Sequence, residues 1–234
     1  MKKALLVGVS EYPSTPLACS ATDAQMLCNV LKEHGYKREI LTNKKATPGN
    51  ILKAIASLSI KPYDDFLFYF SGHGCLSDTG GLLLACYPCV SLPAIWIHYK
   101  TEIEHVKRLF IYDCCHVWQN DNNEFLHNSK DTPIKPSFNS STIGIKSNFT
   151  GNNSRKIIPA LEFHSCAYRQ YSYENSVNGL GNFTDAILQA LYEATSFDSW
   201  HDLVIEKMKI KQSKQEPVML GPRRATFPLC NWVK

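Results

Sequence analysis

The chain contains no apolar run approaching the ~20 residues that a membrane-spanning helix requires, so no segment reads as a span. It also carries little surplus charge. Lys and Arg number 25 against 21 Asp and Glu, a net of +4 over 234 residues, and the basic residues are scattered rather than gathered into a stripe. Nucleic acid is therefore not an expected partner. Met1-Lys2-Lys3 followed by Ala4–Val9 has the outline of a secretion signal, but the apolar stretch stops at Ser10-Glu11 and reads better as a first strand. Without such a signal, the nine cysteines point to reduced thiols in a soluble, cytoplasmic protein rather than to a disulfide framework. The N-x-S/T matches at Asn139, Asn148, Asn152 and Asn182 then carry little meaning. Cys86-Tyr87-Pro88-Cys89 has the spacing of half a zinc site, yet no second Cys or His pair completes it, and no metal is expected. There is no internal repeat.

What is present is an alternation of short apolar runs with helical patterns, which suits one α/β domain. A strand over Ala4–Val9 precedes a helix from Ser20 to His34, in which Ala24, Leu27, Cys28 and Leu31 recur at helical spacing before Gly35. A short strand at Arg38–Leu41 leads to Thr47-Pro48, a good cap and first-turn pair, and a helix through Ile51 and Leu58. Further strands are expected at Phe66–Phe70, Leu109–Tyr112 and Ile157–Ser165, with helices over Leu92–Val106, Phe183–Ala194 and Trp200–Lys209. The tail, with Pro217, Pro222 and Pro228, has room for a last edge strand. Residues 119–156 are rich in Asn, Ser, Thr, Lys and Pro, and are too long for an ordinary connection.

Two of the strands end in reactive side chains. Phe66–Phe70 runs into Ser71-Gly72-His73-Gly74, and Leu109–Tyr112 runs into Asp113-Cys114-Cys115-His116. Strand ends are where α/β sheets keep their chemistry. An imidazole beside a thiol can help form the thiolate and then protonate a leaving amine. The bland alternatives are a satisfied histidine in a turn and an aspartate serving nearby backbone donors.

The two segments, 42 positions apart from His73 to Cys115, resemble the caspase-like cysteine peptidases, specifically the metacaspase and prokaryotic caspase-like branch. A caspase histidine precedes its cysteine by a comparable distance. Ala21-Thr22-Asp23-Ala24 and Gly181–Leu188 add to the likeness, which spans nearly the whole chain. One departure is local: Val117-Trp118 stands where relatives commonly have Ser-Gly.

The resemblance implies a three-layer caspase-like sandwich, a mostly parallel six-strand sheet with helices on both faces. It also implies a cysteine endopeptidase. The D-x-C pattern makes Cys115 the nucleophile and Cys114 a core-facing neighbour, with His73 as general acid/base and the backbone N–H groups of Gly74 and Cys115 as the oxyanion hole. Asp23 and Asp113 match the acids that floor the first specificity pocket, which implies cleavage after Arg or Lys. The alternative for Asp23 is service to its helix N-terminus. Ser165, Gln170 and Ser172 fall in the family's pocket-wall loop as candidate substrate contacts.

By the same likeness, residues 1–118 form a larger catalytic segment and 157–234 a smaller one. The linker 119–156 separates them, with Lys130, Lys135, Lys146, Arg155 and Lys156 as sites for self-cleavage or an upstream activator. No cofactor is expected. Calcium is not favoured, because Glu174 is the one acid in the relevant loop. The expected partners are protein or peptide substrates, and the expected state is a monomer. A catalytically silent caspase-like interaction module is the competing reading.

Overall fold

The computed structural model describes residues 1–117, 157–175, 178–211, 214–222 and 226–229. The processing candidates Lys130, Lys135, Lys146, Arg155 and Lys156 lie outside them. In chain order the elements are β1 (Lys2–Gly8), α1 (Ser20–Glu33), β2 (Lys37–Thr42), α2 (Pro48–Ser57), β3 (Asp65–Ser71), β4 (Gly74–Leu76), β5 (Leu82–Cys86) and β6 (Val90–Pro93). They continue with α3 (Ala94–Lys100), β7 (Lys107–Asp113), β8 (Leu161–His164), β9 (Glu174–Asn175), β10 (Leu180–Gly181), α4 (Asn182–Glu193), α5 (Phe197–Ile210) and β11 (Val218–Leu220).

Six strands form the main sheet in the order β11-β8-β7-β3-β1-β2. All neighbours are parallel except β11, which runs antiparallel to β8 at the edge. Side chains alternate across a strand, so the apolar runs feed two cores. Leu5, Val7, Phe66, Phe68, Phe70, Phe110 and Tyr112 pack on one face with Ile51 and Ile55 of α2 and Ile97 of α3. On the other face Ala4, Leu6, Leu67, Tyr69, Leu109, Ile111 and Phe163 meet Leu27 and Leu31 of α1, Phe183 and Ile187 of α4, and Trp200 of α5. The expected mostly parallel six-strand sheet with helices on both faces is what the chain builds.

Differences from expectation are local. The helix expected over Leu92–Val106 is confined to Ala94–Lys100, and Leu92 belongs to β6. Pro93 explains the start, because a proline disfavours helical geometry in the residue before it. Strands β4, β5 and β6 form a separate antiparallel sheet that the sequence did not reveal. Helix α5 begins at Phe197 rather than Trp200, since Ser196 and Ser199 form a reciprocal capping box. The strand expected over Ile157–Ser165 shortens to β8. Thr47 caps α2 as anticipated, accepting from the Asn50 N–H. No disulfide joins the described cysteines. No helix among the described residues is long and apolar enough to cross a membrane.

Candidate active site

Strands β3 and β7 pair with a constant offset, from Asp65 opposite Lys107 to Ser71 opposite Asp113. The offset persists beyond the strands. The Gly72 N–H donates to the Asp113 carbonyl at 3.2 Å, and the Leu76 N–H to the Val117 carbonyl at 2.8 Å. Continuing the register places His73 alongside Cys115. Both line a cleft of about 150 Å³ with Asp23, Ser172 and Glu174.

The imidazole is oriented from the β1–α1 loop. His73 Nε2 lies 2.7 Å from the Thr15 carbonyl. A carbonyl only accepts, so Nε2 carries the proton and Nδ1 keeps the lone pair needed in a base. Burial holds His73 below its ordinary value and pushes the half-buried Cys115 thiol up. Each shift favours the uncharged form of its group. Cys115 Sγ sits 3.9 Å from the Ser172 carbonyl. Cys114 is turned into the core, and its burial pushes the thiol pKa well above the ordinary value.

Gly74 closes on Cys114 and Cys115 without a side chain. In the β4–β5 hairpin the Ala85 N–H donates to the His73 carbonyl at 3.0 Å, and the Ser77 N–H to Gly81 at 2.8 Å. The alternation of an antiparallel ladder then turns the intervening Gly74 N–H away from β5. A Cβ at Gly74 would meet Cys114 Sγ at 2.7 Å and the Cys115 carbonyl at 3.0 Å.

Two buried carboxylates floor the cleft. Asp113 Oδ1 accepts from Ser172 Oγ at 2.6 Å, and Oδ2 from Thr184 Oγ1 at 2.7 Å. Asp23 Oδ1 accepts from the Gly181 N–H at 2.9 Å, and Oδ2 from Ser71 Oγ at 3.0 Å. Burial, followed by repulsion from Asp113, raises Asp23 to about 8. Asp113 is raised as well, again chiefly by burial. The closely spaced carboxylates share an environment that resists two negative charges and would be relieved by a cation.

The model of the caspase domain family matches residues 1–227. The chain belongs to the caspase domain family. Its fold is similar to that of the crystal structure of protein GSU0716 from Geobacter sulfurreducens, at 19% sequence identity over 98% of each chain and a TM-score of 0.74. No curated protein sequence matches it.

Within this caspase domain, the loop after β8 divides the three candidate substrate contacts. Ser172 lines the cleft. Ser165 is buried beneath it and donates to the Cys114 carbonyl at 3.3 Å. Gln170 secures the turn, its Oε1 accepting from the Ala167 N–H at 3.2 Å and the Glu216 N–H at 2.9 Å. Glu174 accepts from the N–H groups of Ala18 and Cys19 at 2.9 and 2.7 Å, which clips this loop to the start of α1. The unusual Val117 is buried and keeps the local pairing through its carbonyl. Trp118 lies outside the described residues.

Sequence reasoning missed Tyr12, Thr15, Thr184 and Gln215. Gln215 is buried, donating to the Ser165 carbonyl at 3.0 Å and to Ser172 Oγ at 3.2 Å, while its Oε1 accepts from the Tyr173 N–H at 3.0 Å. Thr15 acts through a carbonyl, which no side-chain pattern signals. Among the described residues no group of three or more His, Cys, Asp or Glu side chains is arranged to hold a metal ion.

Proposed function

We propose that this caspase domain is a cysteine endopeptidase that cleaves after Arg or Lys. The observation that carries the reading is the register neighbourhood of His73 and Cys115 above the paired carboxylates of Asp23 and Asp113. A guanidinium or ammonium entering the floor would meet both carboxylates through charge-assisted hydrogen bonds.

His73 Nδ1 takes the thiol proton as Cys115 Sγ attacks the peptide carbonyl carbon. The oxyanion formed is held by the N–H groups of Gly74 and Cys115. The carbon–nitrogen bond breaks as Nδ1 returns the proton to the leaving amine, which leaves a thioester. Water, deprotonated by the same nitrogen, hydrolyses the thioester and restores the thiol. Every group in this scheme is a side chain or backbone amide of the chain, and no cofactor takes part. Self-cleavage within 119–156 belongs to the same proposal, as does action of the monomer on protein substrates.

The test is turnover of fluorogenic peptides bearing Arg, Lys or Asp before the reporter, under reducing conditions, with and without calcium. Arg and Lys peptides are expected to turn over, and Cys115→Ala and His73→Ala to abolish turnover. An intact, folded protein without activity on any of the peptides would favour the silent interaction module. Undiminished turnover by Cys115→Ala would move the nucleophile elsewhere.

A further inference from the structure

The His73/Ala85 pair at the open end of the β4–β5 hairpin is incomplete in an informative way. A bonded antiparallel pair exchanges two backbone hydrogen bonds. One is present, from the Ala85 N–H to the His73 carbonyl at 3.0 Å. In place of the other stands the hydroxyl of Tyr12, which accepts from the His73 N–H at 3.0 Å and donates to the Ala85 carbonyl at 2.6 Å. The phenol oxygen is thus inserted into the ladder beside the histidine.

We propose that Tyr12 is a positioning residue for the His73–Cys115 dyad, its hydroxyl acting as a wedge that sets the His73 backbone and its ring setting the imidazole plane. The inference rests on the dyad reading above. Three observations support it. Tyr12 is 3% exposed and does not line the cleft, so it acts through His73 rather than on substrate. Its ring centroid lies 4.5 Å from that of His73, tilted by 46°, which limits imidazole rotation about the Nε2–Thr15 contact. Gly72 leaves the space the hydroxyl occupies, since a Cβ there would lie 2.5 Å from it. Burial also raises Tyr12 well above the ordinary phenol value, so the hydroxyl keeps the proton it donates to Ala85.

Without the hydroxyl, the His73 N–H and the Ala85 carbonyl either pair directly, drawing the histidine toward β5, or stay unsatisfied. Both outcomes move Nδ1 relative to the sulfur, and displacements of about 1 Å at a reacting centre cost up to ~100-fold in rate. The side chain of Gly72→Ala would push the hydroxyl out of the ladder while the ring remains.

The experiment compares wild type, Tyr12→Phe, Gly72→Ala and the double variant for kcat and KM on an Arg peptide. It adds the pH dependence of Cys115 alkylation by iodoacetamide, read by mass spectrometry of the Cys115 peptide, and a thermal melt as a folding check. Tyr12→Phe is expected to lower kcat by roughly 10- to 100-fold with KM within about twofold, and to shift the alkylation profile. Gly72→Ala is expected to reproduce the effect, with the double variant no worse than either single one. Wild-type kcat and an unshifted profile in Tyr12→Phe, while His73→Ala is inactive, would overturn this role and leave the dyad standing. Full activity in His73→Ala would overturn the dyad itself.

Discussion

Asp23 in the first turn of α1 and Asp113 at the end of β7 stand on either side of Gly181, where a Cβ would lie 3.0 Å from Asp23 Oδ2 and 2.9 Å from Asp113 Oδ2. The glycine lets two chain segments of opposite origin bring their carboxylates together over one small floor. Gly181→Ala should therefore raise KM for Arg peptides about 10-fold or more while kcat changes less, because the added methyl crowds the floor and not the dyad. Steady-state kinetics check this, and an unchanged KM would remove the carboxylate pair from substrate binding.

Substrate binding should depend on pH through Asp23. A cationic side chain binds best to the ionised floor, and burial and Asp113 hold Asp23 at about 8. KM for an Arg peptide should fall as pH rises from 6 through about 8 and then level, with a proton released on binding. Asp23→Asn should bind more weakly and lose the slope. A wild-type KM that is flat across this range would contradict the shared environment of the two acids.

The same group ties folding to pH with a definite sign. Its folded value of about 8 lies above the ordinary 3.8, so the native state holds a proton that the unfolded chain releases. Its stabilising contribution is full below the ordinary value and is lost as pH rises through the folded one. Asp23→Asn has no such loss. Its melting temperature relative to wild type should increase from pH 5 to pH 8, as thermal melts across that range would show.

Gln215 should couple the tail to the floor. Gln215→Leu removes donors to the Ser165 carbonyl and Ser172 Oγ and the acceptor for the Tyr173 N–H. A loss of about 1–3 kcal/mol in urea unfolding is expected for buried polar groups left unpaired. KM for Arg peptides should rise with it, because Ser172 holds Asp113 Oδ1. A destabilised variant with wild-type KM would confine Gln215 to folding.

Far from the cleft, Lys3 is buried with Asp64, Nζ to Oδ2 at 2.7 Å, and donates to the Ser59 carbonyl at 2.6 Å. Burial opposes ionisation of Asp64, yet the Lys3 hydrogen bond and other contacts hold it at about 2. Asp64→Asn should cost about 3–5 kcal/mol by stranding the lysine charge, measured by urea unfolding. The wild-type contribution is present above the ordinary carboxylate value and lost as pH falls through about 2.

The main sheet was legible because each strand carries its own record. Phe66–Phe70 and Leu109–Tyr112 are apolar on both faces, as strands buried on both faces must be. Their motif spacing has a structural origin: the 42 positions between His73 and Cys115 are the β3–β7 register itself. Side chains at strand ends, and Asp23 in the first turn of a helix, could thus be assigned to one cleft from local pattern and family likeness. The β4–β6 sheet escaped because strands of three to five residues leave too short a pattern, although Pro93 marked the true helix start.

What the sequence by itself determined is the alternation of strand and helix, the two strand ends that bear thiol and imidazole, and the acids available to a cleft. Tertiary structure alone decided how these groups are held. The Thr15 carbonyl orients His73 across 58 residues, the Gly181 N–H reaches Asp23 across 158, and Gln215 reaches Ser172 across 43. Tyr12 enters a hairpin ladder 73 residues away. Such contacts use backbone groups common to every residue, or a polar side chain whose partner is fixed only when distant segments pack. Local periodicity carries no trace of either.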